Sequence, residues 1–271
     1  MQRQWRLIYD KPAIGAINMA VDEAILWSVS EGLTPPTLRL YAWNPACLSL
    51  GYAQRIADVD LHRVEQLGWH VVRRPTGGRA ILHTDELTYS IAVPLGHPLA
   101  AGSVVDSYRR ISRALLAALQ KLGVSPQADK RTDNHKAAVG PVCFEVPSHY
   151  EITVNGRKLI GSAQVRRRAG ILQHGTLPLY GDISRICEVL VFEDELAREN
   201  AKSQVLQRAT TLEAAIGDIL SWDEVAQAVI QGFSQTFDIE FQKDALIPEE
   251  QKQAEHYLQT MYGAEYWTHR R

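Results

Sequence analysis

Helical spacing of apolar positions is clearest over 103–123, where Val105, Tyr108, Ile111, Leu115, Leu119 and Leu122 share one face. Ser103 and Asp106 form a capping box at its start, and Gly123 stops it. A second helix opens at Ser221-Trp222-Asp223-Glu224 and carries Val225, Val229 and Phe233 on one side. An early helix is expected through Ala20, Val21, Ala24, Ile25 and Leu26 to Gly32, with Asn18 as its cap and Asp22 and Glu23 near its positive end. Pro248 introduces a last amphipathic segment that ends near Tyr262-Gly263.

Elsewhere the pattern alternates. Stretches 37–41, 47–51, 69–73, 80–83 and 88–93 read as strands, with a short helix around 59–66 ending at Gly68. Asn155-Gly156 parts 150–154 from 158–165 and is the strongest short hairpin signal in the chain. A further turn at Arg168-Ala169-Gly170 leads to a return strand over 171–179. From Asp182 onward the texture is helical. The reading is an α+β fold, with mixed and antiparallel sheets packed with helices and a helical C-terminal segment.

Composition narrows the function. Twenty-nine basic against 31 acidic side chains leave a formal charge of −2, so no global field recruits nucleic acid or an anionic membrane. No run approaches the ~18 apolar residues that span a bilayer, and the first ten residues have no secretory pattern. Cys47, Cys143 and Cys187 are far apart, with no CxxC pair, so neither a zinc knuckle nor a disulfide framework is expected. The expectation is a cytoplasmic protein with reduced thiols, without a metal, and with a monomer as the simplest state.

Common catalytic motifs are missing: no GxGxxG, HExxH or GxSxG. Gly156-Arg157-Lys158-Leu159-Ile160-Gly161-Ser162 has the glycine spacing of a phosphate loop, but Ser162-Ala163 stands where Lys-Ser/Thr is needed. Three unusual segments remain. Arg73-Arg74-Pro75-Thr76-Gly77-Gly78-Arg79-Ala80-Ile81-Leu82-His83 places paired glycines between strands, where a backbone can approach a ligand and offer N–H groups to an oxygen. Cys143-Phe144-Glu145-Val146-Pro147-Ser148 puts a thiol at the end of a polar loop, and a reactive thiolate needs a nearby cation. His149 and Lys136 are cations close in sequence. Lys158 is the more interesting one, because Gly161 and Ala163 thin the surface beside it. Cys47 and Cys187 sit in apolar runs and read as core.

Taken together, these segments resemble the biotin/lipoate protein ligase superfamily, and more narrowly its octanoyltransferase LipM family. The resemblance is carried by Asn18-Met19-Ala20-Val21-Asp22-Glu23-Ala24, by the three segments above, and by Gln173-His174-Gly175. ATP-dependent lipoate ligases instead have a third glycine where this chain has Arg79, and a His-Asp-x-Gly-Asn where it has Thr84-Asp85-Glu86-Leu87. The other octanoyltransferase type has its cysteine near the position of Cys187. The resemblance implies a ligase-like catalytic domain over 30–245 and a helical extension over 246–271.

It further implies that Cys143 forms an acyl-thioester and that Lys158 lowers its pKa and positions the acyl carbonyl. Arg73, Thr76, Gly77, Gly78, Arg79, His83, Gly161, Ser162, Ala163, His174 and Gly175 would bind substrate. No cofactor is expected. The implied donor is octanoyl-acyl-carrier-protein and the implied acceptor a lysine of a lipoyl-domain protein, such as the glycine-cleavage H protein. Rival readings are an amidotransferase from H protein to dehydrogenase subunits, an ATP-dependent lipoate or biotin ligase, and a non-catalytic binding protein. An eight-carbon chain offers about six methylenes, and at roughly 0.8 kcal/mol each their burial supplies on the order of 5 kcal/mol. Arg166-Arg167-Arg168 reads as a solvated strand end, with docking of an acidic partner as the lesser expectation.

Overall fold

The computed structural model describes residues 3–129 and 151–271. The chain opens with β1 (Gln4–Tyr9) and α1 (Gly15–Ser30), followed by β2 (Thr37–Tyr41), β3 (Cys47–Leu50), α2 (Leu61–Gln66) and β4 (His70–Arg73). Next come β5 (Ile81–His83), β6 (Glu86–Pro94), α3 (Val104–Lys121) and β7 (Gln127–Asp129). After residue 150 it continues through β8 (Glu151–Val154), β9 (Arg157–Arg167) and β10 (Gly170–Pro178). Helices α4 (Glu195–Arg208), α5 (Leu212–Ile216) and α6 (Trp222–Phe237) lead to β11 (Glu240–Asp244), α7 (Pro248–Tyr257) and α8 (Glu265–Thr268).

Among the described residues, eight strands form one sheet in the order β11-β1-β2-β6-β10-β9-β8-β7, and β4-β3-β5 form a smaller one. β1 runs parallel to both of its neighbours; from β2 to β7 the large sheet is antiparallel. Alternation along the central strands assigns its two faces. Leu7, Leu40 and Ile91 belong to one apolar cluster with Ile111, Leu115, Val225, Val229 and Phe233 of α3 and α6. Their chain neighbours Ile8, Tyr41 and Ala92 belong to another with Met19, Ala20 and Ile25 of α1. A third cluster joins Leu48 and Leu50 of the small sheet to Ile186, Cys187 and Val205.

The segments outside 30–245 are part of this body. β1 lies between β2 and β11, α1 covers a sheet face, and Tyr257, Tyr262 and Trp267 share the cluster of α1. No helix among the described residues is long and apolar enough to cross a membrane.

Both expected capping boxes are present, with Ser103 accepting from the Asp106 N–H and Ser221 from the Glu224 N–H. Asn155 and Gly156 have φ of 51° and 75°, the paired left-handed conformation of a tight two-residue hairpin.

Two expectations fail. Asn18 does not cap α1, which begins three residues earlier at Gly15. The Asn18 side chain is buried, donating to the carbonyls of Ala13 (3.3 Å) and Ala42 (3.0 Å) and accepting from Arg39 (3.0 Å), so it serves tertiary structure and not the helix end. β11 lies within the stretch expected to be helical. Its side chains are largely exposed and show no buried alternation; backbone pairing with β1 makes it a strand.

Candidate active site

The two sheets and α1 enclose a cavity of about 420 Å³. Met19, Tyr41 and Trp43 form one wall, and Ser49, Ile81 and His83 of the small sheet another. Arg74, Gly77, Gly78 and Arg79 come from the loop after β4, Lys158, Gly161, Ser162 and Ala163 from β9, and His174, Gly175 and Thr176 from β10. The size suits an acyl group, because apolar cavities of this order enclose small ligands with few polar contacts.

Ten residues singled out from the sequence line this one space: Gly77, Gly78, Arg79, His83, Lys158, Gly161, Ser162, Ala163, His174 and Gly175. Thr76 stands behind the lining, its hydroxyl 2.7 Å from His174 Nε2. Arg73 does not line the cavity. Its buried guanidinium donates to the carbonyls of Gly51 (2.9 Å), Gln54 (2.5 Å) and Thr268 (2.7 Å), which ties α8 to the small sheet. Cys143, Lys136 and His149 lie outside the described residues. Cys47 and Cys187 are fully buried, and burial, then the charge of Glu86, pushes the Cys47 thiol up, away from reactive thiolate.

Glycines set the close approaches. A Cβ on Gly51 would sit 1.8 Å from the Gly78 carbonyl oxygen, so strand β3 can meet the glycine loop only without a side chain. Gly78 has φ of +93°, a conformation other residues rarely adopt. A Cβ on Gly161 would meet Lys158 Cε at 3.2 Å, and its absence makes room for the lysine.

Charged groups are held in the walls. Lys158 is 5% exposed and donates from Nζ to Glu151 Oε1 at 2.8 Å. Asp22 accepts from Arg39 (2.8 Å), Tyr41 (2.9 Å) and Ser90 (2.7 Å), and faces His174 Nδ1 at 3.3 Å. Burial raises the Asp22 carboxyl, but the His174 hydrogen bond and the Arg39 charge outweigh it and hold it below its ordinary value. Burial lowers His174 despite the pull of Asp22. The imidazole is therefore neutral at pH 7, with Nδ1–H donating to Asp22 and Nε2 accepting from Thr76. His83 stacks on Trp43 at 3.9 Å; its Nδ1 faces Glu86 at 2.7 Å and its Nε2 the Ser49 hydroxyl at 2.8 Å.

Several of these residues were given no site role from the sequence: Met19, Asp22, Tyr41, Trp43, Ser49, Arg74, Glu86 and Glu151. The available signals were Asp22-Glu23 inside an otherwise apolar helical run and the place of Arg74 in the glycine segment. Both carboxylates are buried, and Glu23 receives Arg167, Arg168 and the Tyr262 hydroxyl. Arg166 donates to the carbonyls of Gly102 (2.7 Å) and Ser103 (2.8 Å). The arginine run is thus tied into the fold.

Residues 15–234 match the family model of the lipoyl protein ligase A/B catalytic domain. The chain is 39% identical to octanoyltransferase LipM of Brevibacillus brevis over 99% of both chains, and 37% identical to that of Bacillus subtilis over the full length of both. Among solved structures, it superposes with a TM-score of 0.83 and 26% identity on a chain from a study of a bi-partite lipoate protein ligase and its E2 lipoyl domain from Thermoplasma acidophilum, covering 99% of this chain and 97% of that one. A lipoate-protein ligase A bound with ATP gives 0.80 at 25% identity, covering 99% of both. Built on the biotin/lipoate ligase fold, the chain belongs to the octanoyltransferase LipM family and is an acyltransferase of lipoate biosynthesis.

Proposed function

We propose that the chain takes octanoyl from octanoyl-acyl-carrier-protein onto Cys143 and passes it to a lysine of a lipoyl-domain protein, with the glycine-cleavage H protein as the first candidate. The Cys143 thiolate attacks the donor carbonyl; a new C–S bond forms as the carrier's breaks, and the carrier leaves as a thiol after taking up a proton. The acceptor amine then attacks the acyl-enzyme. The N–C bond forms, the Cys143 C–S bond breaks, and the proton lost by the amine returns to the sulfur through Lys158.

The observation that supports this reading most is a buried lysine ammonium at the wall of an apolar cavity, with a glycine loop among the other walls. A cation in a water-poor site stabilises both a thiolate and a developing oxyanion. The assignment of Cys143 rests on its place in the sequence, eight residues before Glu151, the carboxylate that meets Lys158. A lipoyl-domain acceptor is in keeping with the Thermoplasma study, which pairs a ligase with its E2 lipoyl domain.

The test is mass spectrometry of the protein incubated with octanoyl carrier protein and no nucleotide. One hydroxylamine-labile octanoyl adduct on the Cys143 peptide is expected, absent in Cys143→Ala. An adduct that persists in Cys143→Ala overturns the nucleophile assignment. Transfer only from octanoyl-H protein redirects the reading to an amidotransferase, and transfer only with free octanoate and ATP to a ligase.

A further inference from the structure

A bulge turns Lys158 towards the cavity. In β8, Ile152 and Val154 belong to the apolar cluster of α3 and α6, so Glu151 and Thr153 lie on the opposite face of the large sheet. The register between β8 and β9 slips by one residue: Ile152 pairs with Ile160, but Thr153 with Lys158. That slip puts Lys158 on the face of Thr153 and Gly161, although a regular strand would place residues 158 and 161 on opposite faces. Gly161 pairs with Thr176, which lines the cavity, and a Cβ built on Gly161 would stand 3.2 Å from Lys158 Cε and 3.6 Å from its Nζ. The ammonium therefore lies over Gly161 on the cavity side, where it donates to Glu151 Oε1 at 2.8 Å. Both side chains are buried.

Arg74 and Arg79 line the same cavity, its histidines are His83 and His174, and none of its described lining residues is acidic. Water-poor surroundings and neighbouring cations both favour the neutral form of an amine, and a neutral amine is a nucleophile. In an acyl site such an amine competes for the acyl group. Its nitrogen attacks the thioester carbonyl, the N–C bond forms, the C–S bond breaks, and the sulfur leaves with the amine's proton. The product is an amide on the enzyme itself, which hydroxylamine does not cleave. An ammonium has no lone pair for that attack, and Glu151 supplies the opposing charge at contact distance.

We propose that Glu151 is a positioning residue that keeps Lys158 an ammonium, so that the octanoyl group passes to the acceptor's lysine and not to the enzyme's own. This rests on the acyl-transfer reading, but not on which side chain carries the thioester.

Mass spectrometry of the protein incubated with octanoyl carrier protein, before and after hydroxylamine, tests it. Wild type should carry the labile adduct only. Glu151→Gln should accumulate a hydroxylamine-stable octanoyl group on the Lys158 peptide, at least about 10-fold above wild type, since losing a contacting opposite charge frees that much more neutral amine. Adding Lys158→Met should abolish it. Glu151→Gln keeps the shape of the side chain and Glu151→Asp keeps its charge. A charge effect therefore ranks the stable adduct highest in Gln, intermediate in Asp and lowest in wild type, whereas a packing effect puts Asp above Gln. Should Glu151→Gln fail to fold, Glu151→Asp is read against wild type, and a stable adduct at the wild-type level counts against the proposal. A stable adduct no higher in Glu151→Gln than in wild type, one that survives Lys158→Met, or one higher in Asp than in Gln would overturn it. A wild type that forms no labile adduct removes the acyl-transfer reading, and this inference with it; a labile adduct in wild type with no stable one in Glu151→Gln removes this inference alone.

Discussion

His174 and Asp22 face each other across 3.3 Å, one on a central strand and one on the helix that covers it, and both are buried. The pair joins the cavity wall to Arg39, which also reaches Asp10 at 2.6 Å, and through Thr76 to the glycine loop.

Acid should loosen this junction in two windows. His174 has its pKa lowered by burial from an ordinary 6.5, so below that pH the unfolded chain binds a proton that the folded one resists. Stability therefore falls as pH drops below 6.5. Asp22 is held below its ordinary 3.8, so its contribution is complete above that pH and is lost as pH falls through the lower folded value. Thermal melts of wild type should show Tm declining from pH 7 to 5, and His174→Gln should flatten that decline. Equal slopes for the two proteins would count against the argument.

Asp22→Asn should destabilise at neutral pH by about 3 kcal/mol, since it removes one carboxylate from buried Arg39. Urea denaturation measures this directly, and a loss under 1 kcal/mol would mean that Asp10 alone satisfies the guanidinium.

Gly51 and Gly77 should respond in opposite ways to alanine. At Gly51 the new Cβ meets the Gly78 carbonyl, and β3 or the loop must move; Tm and octanoyl transfer should both fall, with about 1–3 kcal/mol of overpacking. Nothing lies within 4 Å of a Cβ at Gly77, so Gly77→Ala should keep its Tm. Similar melts for the two variants would contradict the geometry.

Arg73→Ala should behave as a structural lesion. It withdraws the guanidinium from the carbonyls of Gly51, Gln54 and Thr268, of which Gly51 still accepts from the Gln54 N–H, at about 1–3 kcal/mol for each buried group that is left unsatisfied. Lowered Tm with unchanged KM for the octanoyl donor is the expected result. Raised KM at wild-type Tm would instead make Arg73 a substrate contact.

Lys158→Met keeps the unbranched stem of the side chain and removes its ammonium. Octanoyl transfer should drop by at least about 100-fold while the protein stays folded, as read by circular dichroism and single-turnover kinetics. Retained transfer would remove the ammonium from the mechanism.

How much of this was legible in the sequence depends on where each signal resides. Ser103 with Asp106, Ser221 with Glu224, and Asn155-Gly156 act through neighbouring residues, so their patterns can be read locally. Asn18 looked like a cap, yet its partners include Ala42 and Arg39, which only folding brings near. β11 was invisible because its strand character comes from the backbone of β1. The lining on the glycine loop, β9 and β10 could be named from short motifs. Trp43 and Ser49 could not, since each occupies an ordinary apolar or strand position until the two sheets meet. Arg73 shows the reverse case: it lies in a motif that borders the site, but its bonds go to the peptide groups of α8.

The parallel seating of β1 bears on biosynthesis. A strand made within the first ten residues has β2 as its sole early neighbour and waits for 240–244 to emerge before its other edge is covered. Pairings between stretches so distant in sequence close slowly. A ribosome-bound intermediate would therefore display that edge as a sticky seam, and chaperone demand during translation should depend on how soon it is sealed.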